Sequence, residues 1–224
     1  MIKYLLLILG LIPINSNGQT PFISEIELVG GPSLSSYWGK HRPKDQVVNL
    51  TYFFGGGVSH KFKNKLEINV KLLYERKGNK MDYTETLYDE NDVPGDYRFI
   101  QGSKLDYLTL LPNVKYYIDN SETFYAGLGG YISNLRKSAT YTEMQSLDTG
   151  ATTYYYAYDE IYDDFDFGVS FMTGYRIQLR PKLILNTQLI TGIGLQDIVK
   201  DDVPMDGSLK CFNLSIGVGL IFKP

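Results

Sequence analysis

Two histidines, a single cysteine and a scatter of hydroxyls and carboxylates are the groups in this 224-residue chain that could do chemistry. A serine hydroxyl becomes a nucleophile when a neighbouring histidine takes its proton. His41 with Ser35 or Ser36 is the one pairing the sequence offers for such a reaction, and a lipid ester would be the substrate. His60 falls on the apolar side of an alternating run and reads as a residue at a membrane interface. Two histidines without a Cys–His cluster do not make a zinc site. Cys211 has no partner for an intrachain disulfide, and it reads as a small residue filling a strand position rather than as a thiol nucleophile. No phosphate-cradling loop or cofactor motif is present. The expectation is therefore a non-enzymatic protein with no catalytic, cofactor-binding or metal-binding residues. A net charge of −3 without a basic tract argues against a nucleic-acid partner.

The richest polar composition lies in one segment: Tyr154, Tyr155, Tyr156, Tyr158, Asp159, Glu160, Tyr162, Asp163 and Asp164. Tyrosines supply rigid contact area with a polar tip, and acids attract calcium or a basic partner. This segment is the candidate interaction site, with a protein partner expected there. The plainer reading is that two strands simply continue into water as a solvated hairpin. Two other long segments carry charge: Lys40, His41, Arg42 and Lys44 in the first, and Glu85, Asp89, Glu90, Asp92 and Asp96 in the second.

What must position these residues is a set of strands. Helical periodicity is nearly absent, and the chain alternates with period two between turn residues. Eight runs stand out, at roughly 24–39, 49–63, 65–83, 104–119, 123–142, 165–180, 183–198 and 209–222. The last is the cleanest, with Phe212, Leu214, Ile216, Val218, Leu220 and Phe222 on one face and Cys211, Asn213, Ser215, Gly217 and Gly219 on the other. Short turns alternate with long polar connections, as in outer-membrane barrels. The expected fold is all-β: an eight-stranded antiparallel up-and-down transmembrane β-barrel. With an even strand number, both termini and the short turns lie on the periplasmic side of the outer membrane.

A soluble lipocalin-like barrel gives the same alternation with the faces inverted. Large side chains on nearly every strand would overfill so narrow a lumen, whereas the polar face is rich in glycine and suits a crowded interior. That face also carries both charge signs: Glu25, Glu27, Glu67, Lys71, Glu75, Lys115, Asp166 and Arg176. Lys or Arg facing lipid costs about 2–4 kcal/mol at mid-bilayer, so these residues are expected to face the lumen and pair there as a structural network. An ion or proton path is the functional alternative. Recurrent aromatics, among them Tyr52, Tyr74, Tyr83, Tyr107, Tyr116, Tyr117, Phe124 and Tyr175, suit an interfacial girdle against outer-membrane lipid.

The N-terminus reads as a secretory signal peptide over residues 1–18, with Lys3, an apolar run from Tyr4 to Ile14, and Ser16-Asn17-Gly18 before a cut at Gln19. The barrel domain then spans 19–224.

Across the mature chain the sequence resembles the Bacteroidetes outer-membrane β-barrel family that includes PorT-like proteins. The resemblance rests on Tyr107-Leu108-Thr109-Leu110-Leu111-Pro112-Asn113-Val114-Lys115-Tyr116-Tyr117, on Gly30-Gly31-Pro32, on Leu73-Tyr74-Glu75-Arg76-Lys77-Gly78, on Tyr125-Ala126-Gly127-Leu128-Gly129-Gly130-Tyr131, and on Asp166-Phe167-Gly168 with Gly174-Tyr175. It implies a membrane barrel acting as a structural or loop-mediated interaction protein, in one version an accessory of secretion or envelope assembly. A narrow channel, an outer-membrane lipid hydrolase and a soluble binder are the competing functions. The sequence leaves the oligomeric state open.

Overall fold

Residues that alternate between apolar and small or polar side chains put one set on each face of an extended strand. The computed structural model describes residues 23–40, 45–63, 65–88, 92–157, 161–200 and 208–224. Among them are eleven strands: β1 (Glu25–Trp38), β2 (Gln46–Val47), β3 (Asn49–Lys63), β4 (Leu66–Lys77), β5 (Lys80–Tyr88), β6 (Pro94–Tyr117), β7 (Phe124–Ser146), β8 (Thr152–Ala157), β9 (Phe165–Arg180), β10 (Leu183–Gly194) and β11 (Lys210–Phe222). Eight of them close a ring in the order β1-β3-β4-β6-β7-β9-β10-β11, each antiparallel to the next. The first and last strands seal it, in register from Ile26↔Phe222 to Trp38↔Lys210. The segment 1–18, expected to be a signal peptide, lies outside the described residues.

The apolar face points out. Leu28, Phe54, Leu128, Ile216 and Val218 are exposed, while their chain neighbours Glu27 and Phe53 are buried. A water-soluble barrel has the opposite polarity. Tyr52, Tyr116, Phe124 and Tyr175 stand on the outer face, where Phe124 meets Tyr175 edge-on at 6.3 Å between centroids. Three aromatics expected among the girdle are elsewhere. Tyr107 and Tyr117 point into the lumen, and Tyr83 stacks on Phe99 in β5 and β6. Strand parity places Tyr107 and Tyr117 on the face of Lys115, which the residue type alone did not convey.

The ring is uneven in height. β6 has 24 residues, about 80 Å of extended chain, against the roughly 9–11 residues that cross a bilayer. Its N-terminal part pairs with β5 on one side and with the C-terminal part of β7 on the other, and β8 pairs with β7 beyond that. A four-stranded sheet, β5-β6-β7-β8, therefore rises above the barrel. The segment 84–103, expected as a loop, is a β5–β6 hairpin. The run 65–83, expected as one strand, is two, divided at Gly78 and Asn79. Asp106↔Lys137 is followed by Tyr107↔Leu135, so Arg136 is an extra residue that bends the β6–β7 hairpin where it leaves the ring.

Gly78 makes that division possible. Its φ is 146°, and a Cβ there would lie 2.1 Å from the Ser103 carbonyl oxygen. Ser35 holds it, accepting the Gly78 N–H and donating to its carbonyl, both at 2.9 Å. Gly78→Ala is expected to lose about 1–3 kcal/mol from the backbone conformation alone. A lower urea midpoint in detergent micelles, with less of the compact band on unheated gels, checks this.

At the opposite end the β6–β7 turn is organised by Asp119. Its carboxylate accepts the Ser121 hydroxyl and the N–H groups of Phe124 (2.9 Å) and Thr123 (3.0 Å). These bonds, the Ser121 hydroxyl first, hold the carboxyl well below the usual range. A depressed folded value stabilises the fold above the ordinary carboxylate pKa of about 3.9 and ceases to do so as pH falls through the depressed value. The unfolding midpoints of wild type and Asp119→Ala should accordingly differ at neutral pH and converge in strong acid.

Candidate functional site

Inward parity brings the charged residues of four strands, β1, β4, β6 and β9, into two groups. The lower group lies near the short turns. Lys71 Nζ is 3.0 Å from Glu27 and donates to Gln188 at 2.6 Å. Lys115 pairs with Glu67 at 2.9 Å, and Arg176 bridges Glu25 and Glu67, each at 3.1 Å. Asn186 donates to Glu27 at 2.7 Å, and the Tyr117 hydroxyl donates to Glu67. Three carboxylates thus face three buried cations, and Lys71, Lys115 and Glu67 are fully shielded from solvent. Charges so buried are tolerated only when paired and hydrogen-bonded.

Above this group the lumen is crossed by an apolar layer. Val29, Phe53, Leu73, Leu111, Met172 and Ile190 form one buried cluster with Tyr117, Tyr125 and Tyr131. The upper charged group follows. Lys77 Nζ lies 2.8 Å from Asp166 and 3.2 Å from Glu75, donates to Ser133 at 3.1 Å, and sits 4.2 Å from the Tyr131 ring centroid. Glu75 also accepts from Thr109 at 2.5 Å and from Asn213 at 3.3 Å. A second apolar cluster caps the barrel: Tyr37, Leu105, Tyr107, Tyr162, Ile198, Val199, Leu209 and Cys211. The connections after β8 and β10 fold inward to build it, joined by a Tyr162↔Val199 bridge and by Ile198 N–H to Leu209 C=O at 2.9 Å.

All eight residues singled out as lumen charges are therefore inside. Lys77, which the sequence reading left out of the network, is the hub of the upper group. It shares parity with Glu75 and Lys71 along the same run, so counting by twos would have found it. The candidate interaction segment is split. Tyr154, Tyr155 and Tyr156 are 72%, 60% and 53% exposed on β8. Tyr162 is buried in the cap, Asp163 is half-buried and Asp164 exposed beside it, and Tyr158, Asp159 and Glu160 lie outside the described residues. His41 does too. Ser35 is buried and engaged with Gly78. His60 meets Phe62 edge-on at 4.8 Å on the outer wall. Among the described residues, no three His, Cys, Asp or Glu side chains converge as a metal-binding group.

The outer sheet has two unlike faces. One carries the bidentate Arg98–Asp82 pair (2.7 and 2.6 Å) and Lys104 over the Tyr141 ring at 4.6 Å. The other carries the Tyr83–Phe99 stack, with Met81, Met144, Tyr97 and Tyr155 at matching register positions.

Lys77→Met would leave Glu75 and Asp166 buried without their shared cation. A loss of about 3–5 kcal/mol is expected, largely recovered when Glu75→Gln and Asp166→Asn are added. Urea titration of the folded protein in micelles checks this; a neutral Lys77→Met would contradict the pairing.

The family model for the outer membrane protein beta-barrel domain matches residues 23–199. Comparison with curated proteins gave no match. Among solved structures, the chain is similar to Neisserial surface protein A, with 9% identity and a TM-score of 0.43 over 89% of this chain and 97% of that one. It is similar to the attachment invasion locus protein of Yersinia pestis in complex with the heparin analogue sucrose octasulfate, with 12% identity, a TM-score of 0.39, and coverage of 89% and 99%. It is also similar to OprG from Pseudomonas aeruginosa, with 12% identity, a TM-score of 0.37, and coverage of 90% and 97%. Matched over most of its length by that model, and closed into an eight-stranded ring with its apolar face outward, the chain belongs to the outer membrane protein beta-barrel domain family and is an outer-membrane β-barrel protein.

Proposed function

We propose that this barrel is a closed, non-enzymatic scaffold that acts through the sheet standing above it, as an interaction protein in envelope assembly or secretion. The observation that carries this reading is the layering of the lumen. Two apolar clusters, each spanning strands from around the ring, lie above the paired charges and between them. An ion crossing such layers would have to leave its water behind and displace Phe53, Leu111 or Ile198. The charge network is accordingly read as structural, with Glu25, Glu27, Glu67, Lys71, Glu75, Lys115, Asp166 and Arg176 matched to one another and to Lys77.

The orientation follows from economy of chain. Short turns suit the periplasmic end, and both termini share that end; a signal peptide at 1–18 would deliver the chain there. The tall sheet then faces the outside, where specificity is ordinarily placed in barrel proteins. Exposed Tyr154, Tyr155 and Tyr156, with Asp163 and Asp164 at the barrel mouth, form the interaction surface; Tyr162 is buried in the cap and takes no part in it, and Tyr158, Asp159 and Glu160 lie outside the described residues. The PorT-like sequence resemblance supports a secretion or assembly setting.

Two measurements test the reading together. In planar bilayers the purified protein should give no stepwise conductance. A photo-crosslinking residue at Tyr155, in cells, should yield a discrete adduct that is absent when the crosslinker replaces lipid-facing Leu128. Reproducible channel steps would move the protein to the transporter class, and identical smears at both positions would remove the interaction surface.

A further inference from the structure

A sheet that leaves the membrane has edges again, and the two edges of β5-β6-β7-β8 are built differently. The β5 edge carries Lys80, Asp82 and Glu85 and is partly covered by β2, where Gln46 pairs with Met81 and Val47 with Lys80. Charges and a covering segment are ordinary ways of blunting an edge. Among the described residues the β8 edge has neither. It is the last strand in the order, all six of its residues are exposed, and its sequence Thr-Thr-Tyr-Tyr-Tyr-Ala holds no charge, no proline and no register shift. β-Branched and aromatic residues are also those that favour extended chain.

The hydrogen-bond pattern shows which groups that edge offers. Ser146 N–H donates to Ala151 C=O at 2.9 Å where the β7–β8 hairpin closes. Antiparallel pairs alternate from there, so the N–H and C=O of Thr153 and Tyr155 turn toward β7. Those of Thr152 and Tyr154 turn to the open side. The alternation agrees across the sheet: Leu147 N–H reaches Asp96 C=O at 2.9 Å and Ser103 N–H reaches Asn79 C=O at 3.2 Å.

Charge narrows what could add there. From Ser138 to Tyr175 there is no Lys, Arg or His, and there are seven acids. Asp166 is neutralised inside by Lys77. Glu143 lies beside the edge, 3.5 Å from the Tyr154 hydroxyl, and Asp148 is in the hairpin turn.

The geometry points to β8 as an acceptor for β-strand addition, in which an extended, positively charged segment of a partner polypeptide pairs with the backbone of Thr152 and Tyr154. This deepens the interaction reading above and rests on it. Main-chain bonds supply the attachment, the flanking tyrosines cover the added strand, and Glu143 and Asp148 select for basic flanks. A second copy of this chain would bring the same acids to the edge and is disfavoured by its own charge.

The test uses the full chain in detergent micelles and a fluorescein-labelled eight-residue probe, Lys-Thr-Val-Thr-Val-Thr-Val-Lys, followed by anisotropy. Saturable binding is expected. N-methylation of four consecutive central probe amides should weaken it by at least about tenfold, since both edges of the strand then lose donors. Replacing the probe's lysines with glutamates should weaken it at low salt, and added salt should narrow the gap. Tyr154→Pro removes the phenol and a backbone donor that β7 does not use, so it should keep the folded band on unheated gels yet lose binding about tenfold. Tyr154→Ala, which spares the backbone, should stay within about threefold of wild type. If Tyr154→Pro does not fold, the N-methylated probe decides on the unaltered protein. The proposal is overturned by absence of binding, by an N-methylated probe that binds as well as the parent, or by equal binding of the glutamate probe at low salt. It is overturned equally by concentration-dependent self-association that Tyr154→Pro abolishes, since the occupant would then be a second copy. A specific adduct from Tyr155 in cells alongside a silent probe would sink strand addition while leaving the interaction reading intact.

Discussion

The rest of this structure depends on closure of the β1–β11 seam. In hydrocarbon there is no water to satisfy a backbone N–H or C=O, and each unpaired group costs several kcal/mol. Pairing Ile26 with Phe222 and continuing to Trp38 with Lys210 removes the last two edges of the ring. Once closed in that register, every strand has one face toward lipid and one toward the lumen, and a slip of one residue would exchange them all. Closure thus decides that Leu28 and Val218 meet lipid and that Glu27, Lys71 and Arg176 do not. It also sets the space inside. Gly217 stands where an added Cβ would lie 2.9 Å from the Phe53 ring and 3.1 Å from the Gln188 side chain. Small residues on one strand make room for large ones across the lumen.

Charges forced inside must then be neutralised, and tyrosine does much of that work alongside the carboxylates. Lys77 lies 4.2 and 4.9 Å from the ring centroids of Tyr131 and Tyr107. Lys115 lies 5.0 Å from Tyr125, and Arg176 lies 4.9 Å from Tyr117. A ring face attracts a desolvated cation, while the hydroxyl can donate to a carboxylate. Tyr117 does both, meeting Arg176 with its ring and Glu67 with its hydroxyl. The same residue type serves at the lipid boundary as Tyr116 and Tyr175 and in water as Tyr154 to Tyr156, because one end of it is apolar and the other polar. The abundance of tyrosine in this chain reflects three environments with one requirement in common.

Much of this was legible in the sequence, and the limits have physical causes. The eight ring strands and their inward residues follow from period-two alternation, which a barrel wall enforces by having two different solvents. Above the membrane that enforcement lapses. In β5 and the first part of β6, Asp82 and Arg98 share one face while Tyr83 and Phe99 stack on the other, but the stretch is polar and charged and lacks the long apolar series of the wall, so the segment 84–103 read as loop. The break at Gly78 was hidden because its glycine resembled the others in the wall; only the approach of the Ser103 carbonyl distinguishes it. Tyr162 read as a surface residue by its acidic neighbours, whereas a long connection can fold back into the barrel mouth and bury it against Val199. The charge pairs themselves were beyond reach. Glu25 and Arg176 are 151 positions apart and become neighbours only through closure.

The two ends of β6 and β7 also show how one backbone rule gives opposite results in two media. Within the bilayer an open edge is intolerable, and the ring eliminates it. Some ten residues further along, the same strands stand in water, where an unpaired N–H or C=O is solvated and its exposure costs little. Nothing in the stability of the barrel then requires β8 to be covered. An edge in that position is constrained only by what it would attract, and natural sheets usually restrain that attraction with charge, proline or a bulge. The β5 edge keeps such restraint in Lys80, Asp82 and Glu85. In Thr152–Ala157 it is absent from the one strand where aromatic and β-branched residues favour pairing most, so the difference between the edges lies in sequence and not in the demands of the fold.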